Sequence, residues 1–413
     1  MVMKKTDLGL FPIDWSVSDW SSVLDGFTSG ATPSRAIKDY FEGNIRWITS
    51  GELNYNTIID TIEHISKDAV TRTNLTVHPA GTFLMAITGL EAEGTRGSCG
   101  IIGKDSTTNQ SCLAIYGTPR LMIPYLFYFY VKYGDWLAKH YCQGTKQQSY
   151  TASLVKRLPI IYPPSIEEQR CITEVLSNID SLISSLQKLI EKKKAIKQGA
   201  MQELLTGQKR LPGFSGEWSY KSLGILGDLS REVINPQSLS ETSFYEYSMP
   251  AYDNGRQPGK TSGKSMHSSR LKIYGEIILF NKLNVRQRRV WHVKECLENA
   301  VCSSEFLPYH SLGVHSEFLY QVLLCDKTTV DFENMSTGTS NSQKRITPSD
   351  FLEYEIALPE KDEQEAIAQV LSDMDSEIEQ LEKKLAKYQQ IKQGMMQELL
   401  TGRIRLKKGE NNA

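Results

Sequence analysis

The sequence has no apolar run long enough to span a membrane. Its most apolar stretch, residues 121–131, is 11 residues long and is interrupted by Pro124, well short of the ~20 residues a transmembrane helix needs. The first residues hold no apolar segment of signal-peptide length, so the chain is expected in the cytoplasm. Cysteine is sparse and shows no paired pattern: seven residues, at 99, 112, 142, 171, 296, 302 and 325, with no Cys-x-x-Cys. That argues against a disulfide framework or a zinc site, and for small buried residues in a reducing compartment. The seven histidines form no His-x-x-x-His pair, so no metal centre is expected. A nucleotide-binding loop is missing too. Residues 255–261 and 259–265 each fall one residue short of the phosphate-cradle spacing and lack its strand–helix context. The only Pro-Pro, Pro163-Pro164, has the wrong neighbours for the base-holding motif of a DNA amino-methyltransferase. No glycine-rich turn after a strand offers an adenosylmethionine site. Glu191-Lys192-Lys193 resembles half a nuclease motif but lies in a helical pattern. These absences predict a chain with no catalytic centre and no bound cofactor.

Charge is nearly balanced overall, at −1, but unevenly spread. Residues 254–294 carry ten Lys/Arg against the single acid Glu276, and residues 94–160 carry eight against Asp105 and Asp135. The acids gather elsewhere, with eleven against nine bases in residues 359–413. Two basic patches on a neutral chain suit local grip on a polyanion, although a solvated face can look the same. A chain of 413 residues is too long for one core and suggests two or three domains.

What is present is a repeat. Residues 168–211 align without a gap on 363–406, at an offset of 195, with 25 of 44 positions identical. Both copies have a helical rhythm. Ile172, Leu176, Ile179, Ile183, Leu186 and Ile190 fall at alternating steps of four and three, until Lys193 breaks the pattern. Ile367, Leu371, Met374, Ile378, Leu381, Leu385 and Tyr388 keep the same schedule. Such a seam belongs to helices that pair with each other, here over about 167–205 and 362–400, each ~60 Å long. The acids Glu167, Glu168, Asp362 and Glu363 mark the starts, and Gly207 and Gly402 mark the ends. The first helix ends where the second globular segment begins, and the second helix starts where that segment ends. Domain termini usually lie close together, so the helices are expected to be antiparallel, with a globular segment at each end.

The globular segments echo each other weakly. Each opens on an aromatic–proline cluster with Trp15 or Trp218. Each then has an apolar helix candidate (residues 125–128 and 317–320), a polar Gly-Thr loop (144–149 and 338–345) and a short strand (158–161 and 356–358). Residues 46–49, 82–87, 276–280 and 289–293 read as further strands. The expected fold class is α+β: two strand-rich mixed domains separated by two long helices in an antiparallel coiled coil, with internal pseudo-twofold symmetry. Between the shared markers the domains differ, so one frame carries two surfaces.

Readout of bases needs Arg or Lys for guanine and Asn or Gln for adenine, and the basic windows supply both. Candidates for DNA contact are Arg96, Lys104, Asn109 and Gln110 in the first window. In the second they are Lys260, Lys264, Asn281, Lys282, Asn284, Arg286, Arg288 and Arg289. The paired polar loops add Thr145, Lys146 and Gln147, and Thr339, Asn341, Gln343 and Lys344. Phosphate contacts would set register, and base contacts would set specificity.

The repeated string Glu-Gln-x-x-Ile-x-x-x-Leu, a heptad helix and Gln-x-Leu-Leu-Thr-Gly occurs at Glu168 to Gly207 and at Glu363 to Gly402. It resembles the specificity subunit of type I restriction–modification systems. Residues 275–280 with Ser303 and Ser304, and residues 144–147, resemble that family's target recognition domains. The resemblance implies recognition domains over 1–160 and 208–358, coiled-coil helices over 161–207 and 359–402, and a polar tail over 403–413. It implies that each domain reads one half of a split, asymmetric site in double-stranded DNA, while the helix pair sets the gap. It also implies two modification subunits that carry S-adenosylmethionine and methylate adenine, and restriction subunits that use ATP and Mg²⁺. The competing expectation is a coiled-coil assembly adaptor with no DNA readout.

Overall fold

The computed structural model describes residues 2–91, 94–144, 148–338 and 343–406. The chain divides into two compact units, residues 1–185 with 385–413, and residues 186–384. Each is α+β.

In the first unit a five-stranded sheet runs in the order Asp25–Ser29, Cys112–Tyr116, Phe83–Ala86, Cys99–Ile102, Asn56–Ile58. Its central strand is buried at all four positions, as a strand covered on both faces must be. The helix Ile123–Tyr141 packs on this sheet and starts with Pro124 in its first turn, where a missing N–H costs nothing. Trp20 meets Phe83 and Tyr130 edge-on, at 6.4 and 5.7 Å between ring centroids. The apolar stretch 121–131 is thus spent on this core. Among the described residues no helix is long and apolar enough to cross a membrane. A smaller sheet, Ser106–Thr108, Ile45–Ile48 and His64–Ile65, closes a separate cluster around Trp47.

The second unit has a four-stranded antiparallel sheet, Gly227–Leu229, Phe306–Ser311, Ile277–Asn281, Val290–Val293. The helix Ser316–Leu324 covers it. A five-stranded sheet runs Val233–Ile234, Arg270–Lys272, Ala300–Cys302, Ser243–Tyr247, Gly259–Ser262. Its last strand lies at an open edge. The segment that mimicked a nucleotide-binding loop is this strand and the short 3₁₀ turn after it, Gly263–Ser265.

Both units are framed the same way. The opening strand Ser16–Asp19 pairs with the closing strand Pro159–Tyr162, and Ser219–Ser222 pairs with Glu355–Leu358. The long helices span Ile166–Leu204 and Lys361–Leu399, 39 residues each. In the first unit Ile172 and Leu176 pack with Met396, Leu399 and Leu400. In the second, Ile367 and Leu371 pack with Met201, Leu204 and Leu205. The start of one helix meets the end of the other in each case, so within each unit they run antiparallel. Of the seam residues, Ile172, Leu176, Ile179, Leu186, Ile190, Ile367, Leu371 and Ile378 are buried. Ile183, Met374, Leu381, Leu385 and Tyr388 are half-buried. Where the rhythm stops at Lys193, the ammonium pairs with Glu377 at 2.7 Å. Just past the helix ends Gly207 and Gly402 sit at φ +72° and +67°, the left-handed turn that favours glycine.

Candidate nucleic-acid interface

The repeated Glu-Gln fastens each long helix to its domain. The Glu363 carboxylate, 2% exposed, accepts two N–H donors from Arg210, both at 2.6 Å, and the Trp218 indole N–H at 3.2 Å. Arg405 grips Glu168 in the same way and also reaches Asp14 at 3.0 Å. The two guanidinium groups lie over Trp218 and Trp15, at 5.6 and 5.9 Å from the rings. Gln169 donates to the carbonyls of Arg120 and Pro163 and accepts from the Met122 N–H, which precedes the helix Ile123–Tyr141. Gln364 does the equivalent with Pro359 and the His315 N–H, ahead of Ser316–Leu324. Each glutamine thus satisfies an orphan donor at a helix start. Spacing along the chain aligns these residues but does not reveal the Glu–Arg pairs. The available signal was that both partners recur at the same offset.

Several basic candidates turn out to be engaged within the protein. Arg96, with a side chain 14% exposed, binds Asp135 at 2.9 Å and the Glu91 carbonyl at 3.1 Å. The arginine run of the second domain makes three ion pairs: Arg286 with Glu333, Arg288 with Asp326, and Arg289 with Asp253 at 2.8 and 2.6 Å. Hydrogen bonding from Arg289 holds the Asp253 carboxyl below the usual carboxylate range. Asn281 is 2% exposed and accepts from the Leu283 N–H, so its amide serves the turn. Asn284 adopts φ +51° and bonds the Lys344 carbonyl through its backbone. Lys282 and Lys344 are half-buried, and Ser303 accepts from the Glu305 N–H. Asn109 likewise closes a local turn with Ser111.

The exposed candidates without a carboxylate partner among the described residues are Lys104, Gln110, Lys260, Lys264, Ser304 and Gln343, while Arg286 is exposed but paired with Glu333. Gln110 accepts a hydrogen bond from Thr32. Thr145, Lys146, Gln147, Thr339 and Asn341 lie outside the described residues.

The second unit also holds a buried imidazole. His292 lies between Glu317, 3.0 Å from Nδ1, and Glu276, 2.8 Å from Nε2. Burial opposes its charge, but the two carboxylates outweigh burial and raise its pKa. A raised folded-state pKa stabilises fully below the ordinary value of about 6.5, and that contribution fades as pH climbs through the folded value. Thermal unfolding between about pH 6 and pH 9 is expected to show this loss in the unsubstituted protein but not in His292→Gln. The same pH profile in both would remove the cluster from the account.

Comparison with known proteins agrees with this architecture. Residues 12–198 and 218–393 each match the family described as the type I restriction modification DNA specificity domain. The chain is 34% identical over 189 residues to the type I restriction enzyme MjaIX specificity subunit of Methanocaldococcus jannaschii, covering 45% of this chain and 42% of that relative. It therefore spans less than half the length of that protein. It is 21% identical over 432 residues to the MjaVIII specificity subunit of the same organism, covering 96% of this chain and 94% of the relative. The fold is similar to that of the S subunit of a type I restriction–modification system from M. genitalium, with a TM-score of 0.62 at 15% identity, covering 96% and 99% of the two chains. Two matches to one family, one in each half of a duplicated chain, place the protein in the type I restriction–modification DNA specificity family, as a specificity subunit and a non-catalytic member of such a complex.

Proposed function

We propose that each globular domain reads one half of a bipartite, asymmetric site in double-stranded DNA, and that the paired helices set the distance between the halves. The observation that carries this reading is the duplicated frame around unlike sheets. The Glu168–Arg405 and Glu363–Arg210 clamps repeat closely, while the strand orders of the two domains differ. A constant frame keeps the spacing, and divergent surfaces make the two half-sites different. The domains then correspond to residues 1–160 and 208–358, with helices over 161–207 and 359–402 and a polar tail over 403–413. Exposed Lys104, Gln110, Lys260, Lys264, Ser304 and Gln343 supply phosphate or base contacts of the kind such recognition needs.

Two modification subunits dock on this frame. Each unit has a groove between its long-helix segments and its domain. The first, 570 Å³, includes Asp180, Ile183, Lys392 and Met396. The second, 280 Å³, includes Asp375, Ile378, Lys197 and Met201. These residues correspond one to one at the 195-residue offset, which favours two copies of one partner. S-adenosylmethionine belongs to those modification subunits, and ATP and Mg²⁺ to restriction subunits. The chain itself works in the cytoplasm without a cofactor.

The test is a mobility shift of the chain with its modification subunits across a salt series, with base-resolution mapping of methylated adenine in hosts with and without the gene. Affinity should fall steeply with salt, and one asymmetric two-part site should lose methylation without the gene. A complex with no salt-sensitive DNA affinity would leave the assembly adaptor as the better reading.

A further inference from the structure

The second domain contains a basic surface on which two lysines, among the described residues, pair with no acid. It is the ribbon of Ser243–Tyr247 and Gly259–Ser262, continued by the turn through His267. The antiparallel register sets Ser243 opposite Ser262 and Tyr245 opposite Lys260. Side chains alternate along a strand, so these four share a face with Tyr247, where Tyr245 is half-buried against the core around Tyr247, Ile273 and Trp291, while Phe244 is buried on the other face. The Lys260 ammonium lies 5.8 Å from the Tyr245 ring. Lys260 and Lys264 are exposed, and neither has a carboxylate partner among the described residues.

The surface is held rigidly. A Cβ on Gly263 would come within 2.4 Å of the Pro236 and Leu239 carbonyls, so only glycine lets this turn pack so closely. Arg270 binds Glu246 at 2.6 Å and the carbonyls of Ser268 and Ser269. That pair neutralises the acid on the ribbon and fixes the segment after His267. Gln237 and His267 meet at 2.9 Å beside it. A prearranged surface gives up less entropy on binding.

We propose that this ribbon and turn form the DNA-reading surface of the second domain, entering the major groove, and that the arginines at 286, 288 and 289 serve as ion-paired braces to Glu333, Asp326 and Asp253. The proposal rests on the DNA-recognition reading above and deepens it. The two strands are the outer pair of the five-stranded sheet, with Gly259–Ser262 at its edge, and DNA readers built on sheets place such strands in a groove. A four-residue strand spans ~13 Å, about four base-pair steps. Lys260 and Lys264 contact phosphates. Tyr245 offers its phenol toward the base edges, and Ser262, whose hydroxyl donates to the Ser240 carbonyl at 2.9 Å, can still accept from one.

The experiment uses the full chain reconstituted with its modification subunits and a duplex bearing the mapped site, with anisotropy read across a salt series. The double variant Lys260→Ala/Lys264→Ala should lower the slope of log affinity against log salt by about two, with an unchanged melting temperature, and Lys260→Gln or Lys264→Gln alone by about one. Tyr245→Phe and Ser262→Ala should change base preference in one half-site only. Arg286→Ala should lower the melting temperature and leave the salt slope as it was. An unaltered slope in the lysine variants, with a lower slope in Arg286→Ala at an unchanged melting temperature, overturns the ribbon assignment while leaving the DNA-recognition reading intact. If the unsubstituted complex itself has no salt-dependent affinity, both fall.

Discussion

Inserting one heptad after Leu186 and a second after Leu381 should move methylation from the native site to one whose unread gap is about three base pairs longer. Seven helical residues add ~10 Å, and duplex DNA rises 3.4 Å per step. Both helices need the insertion, because they pair antiparallel in each unit through a seam and matched ion pairs. Lys197 binds Asp375 in one unit and Lys392 binds Asp180 in the other, both at 2.6 Å. Lengthening one helix alone would change the spacing between Asp180 and Lys197 without changing that between Asp375 and Lys392. A whole heptad restores the four-three rhythm, whereas four or five residues would rotate the seam off its partner. The expected result is loss of native-site methylation by at least about tenfold, since a misplaced half-site forfeits its base contacts at ~1–3 kcal/mol each. Genome-wide mapping of methylated adenine provides the readout. Altered half-site sequences at an unchanged gap would show that the helices are not the spacer.

The second large effect concerns stability. Leu176 and Leu371 occupy equivalent seam positions, and both are fully buried. Leu176→Ala and Leu371→Ala are each expected to cost about 2–5 kcal/mol, the lost transfer energy plus the cavity left behind. The losses should be local. Leu176 belongs to the core of the first unit and Leu371 to that of the second. Amide exchange should therefore quicken in Ile123–Tyr141 for the first variant and in Phe306–Ser311 for the second. Denaturant unfolding gives the magnitude. Equal acceleration in both units for either variant would mean that they open as one and that the seam does not divide between two cores.

Which features could be read early followed from how locally they are encoded. The two long helices are written in a periodicity that needs no knowledge of the rest of the chain, and their observed limits lie within a residue of those expected. The short strands were legible for the same reason: residues 82–87 and 276–280 are dense in β-branched and aromatic side chains, and both lie on strands. The antiparallel pairing was inferable from chain connectivity. The individual roles of the basic residues were not. Arg286, Arg288 and Arg289 stood out by composition, but their partners Glu333, Asp326 and Asp253 lie 36 to 47 residues away in sequence. No local pattern announces such a pair. Lys260 and Lys264 sit in a stretch that imitates a phosphate loop and becomes an edge strand and turn.

The sequence by itself thus determined the duplication, the helix pair and the family, because each is carried by spacing along the chain. Only the tertiary structure decided which charges face solvent. An ion's availability depends on what folds against it, and folding brought carboxylates to the arginine run while leaving two lysines open at a sheet edge. It also showed why the repeated Glu-Gln recurs. Glutamate holds an arginine beyond the end of the opposite helix, and glutamine closes the start of the domain's own helix. Both are contacts between segments far apart in sequence, so the motif could be recognised there but its work could not be read.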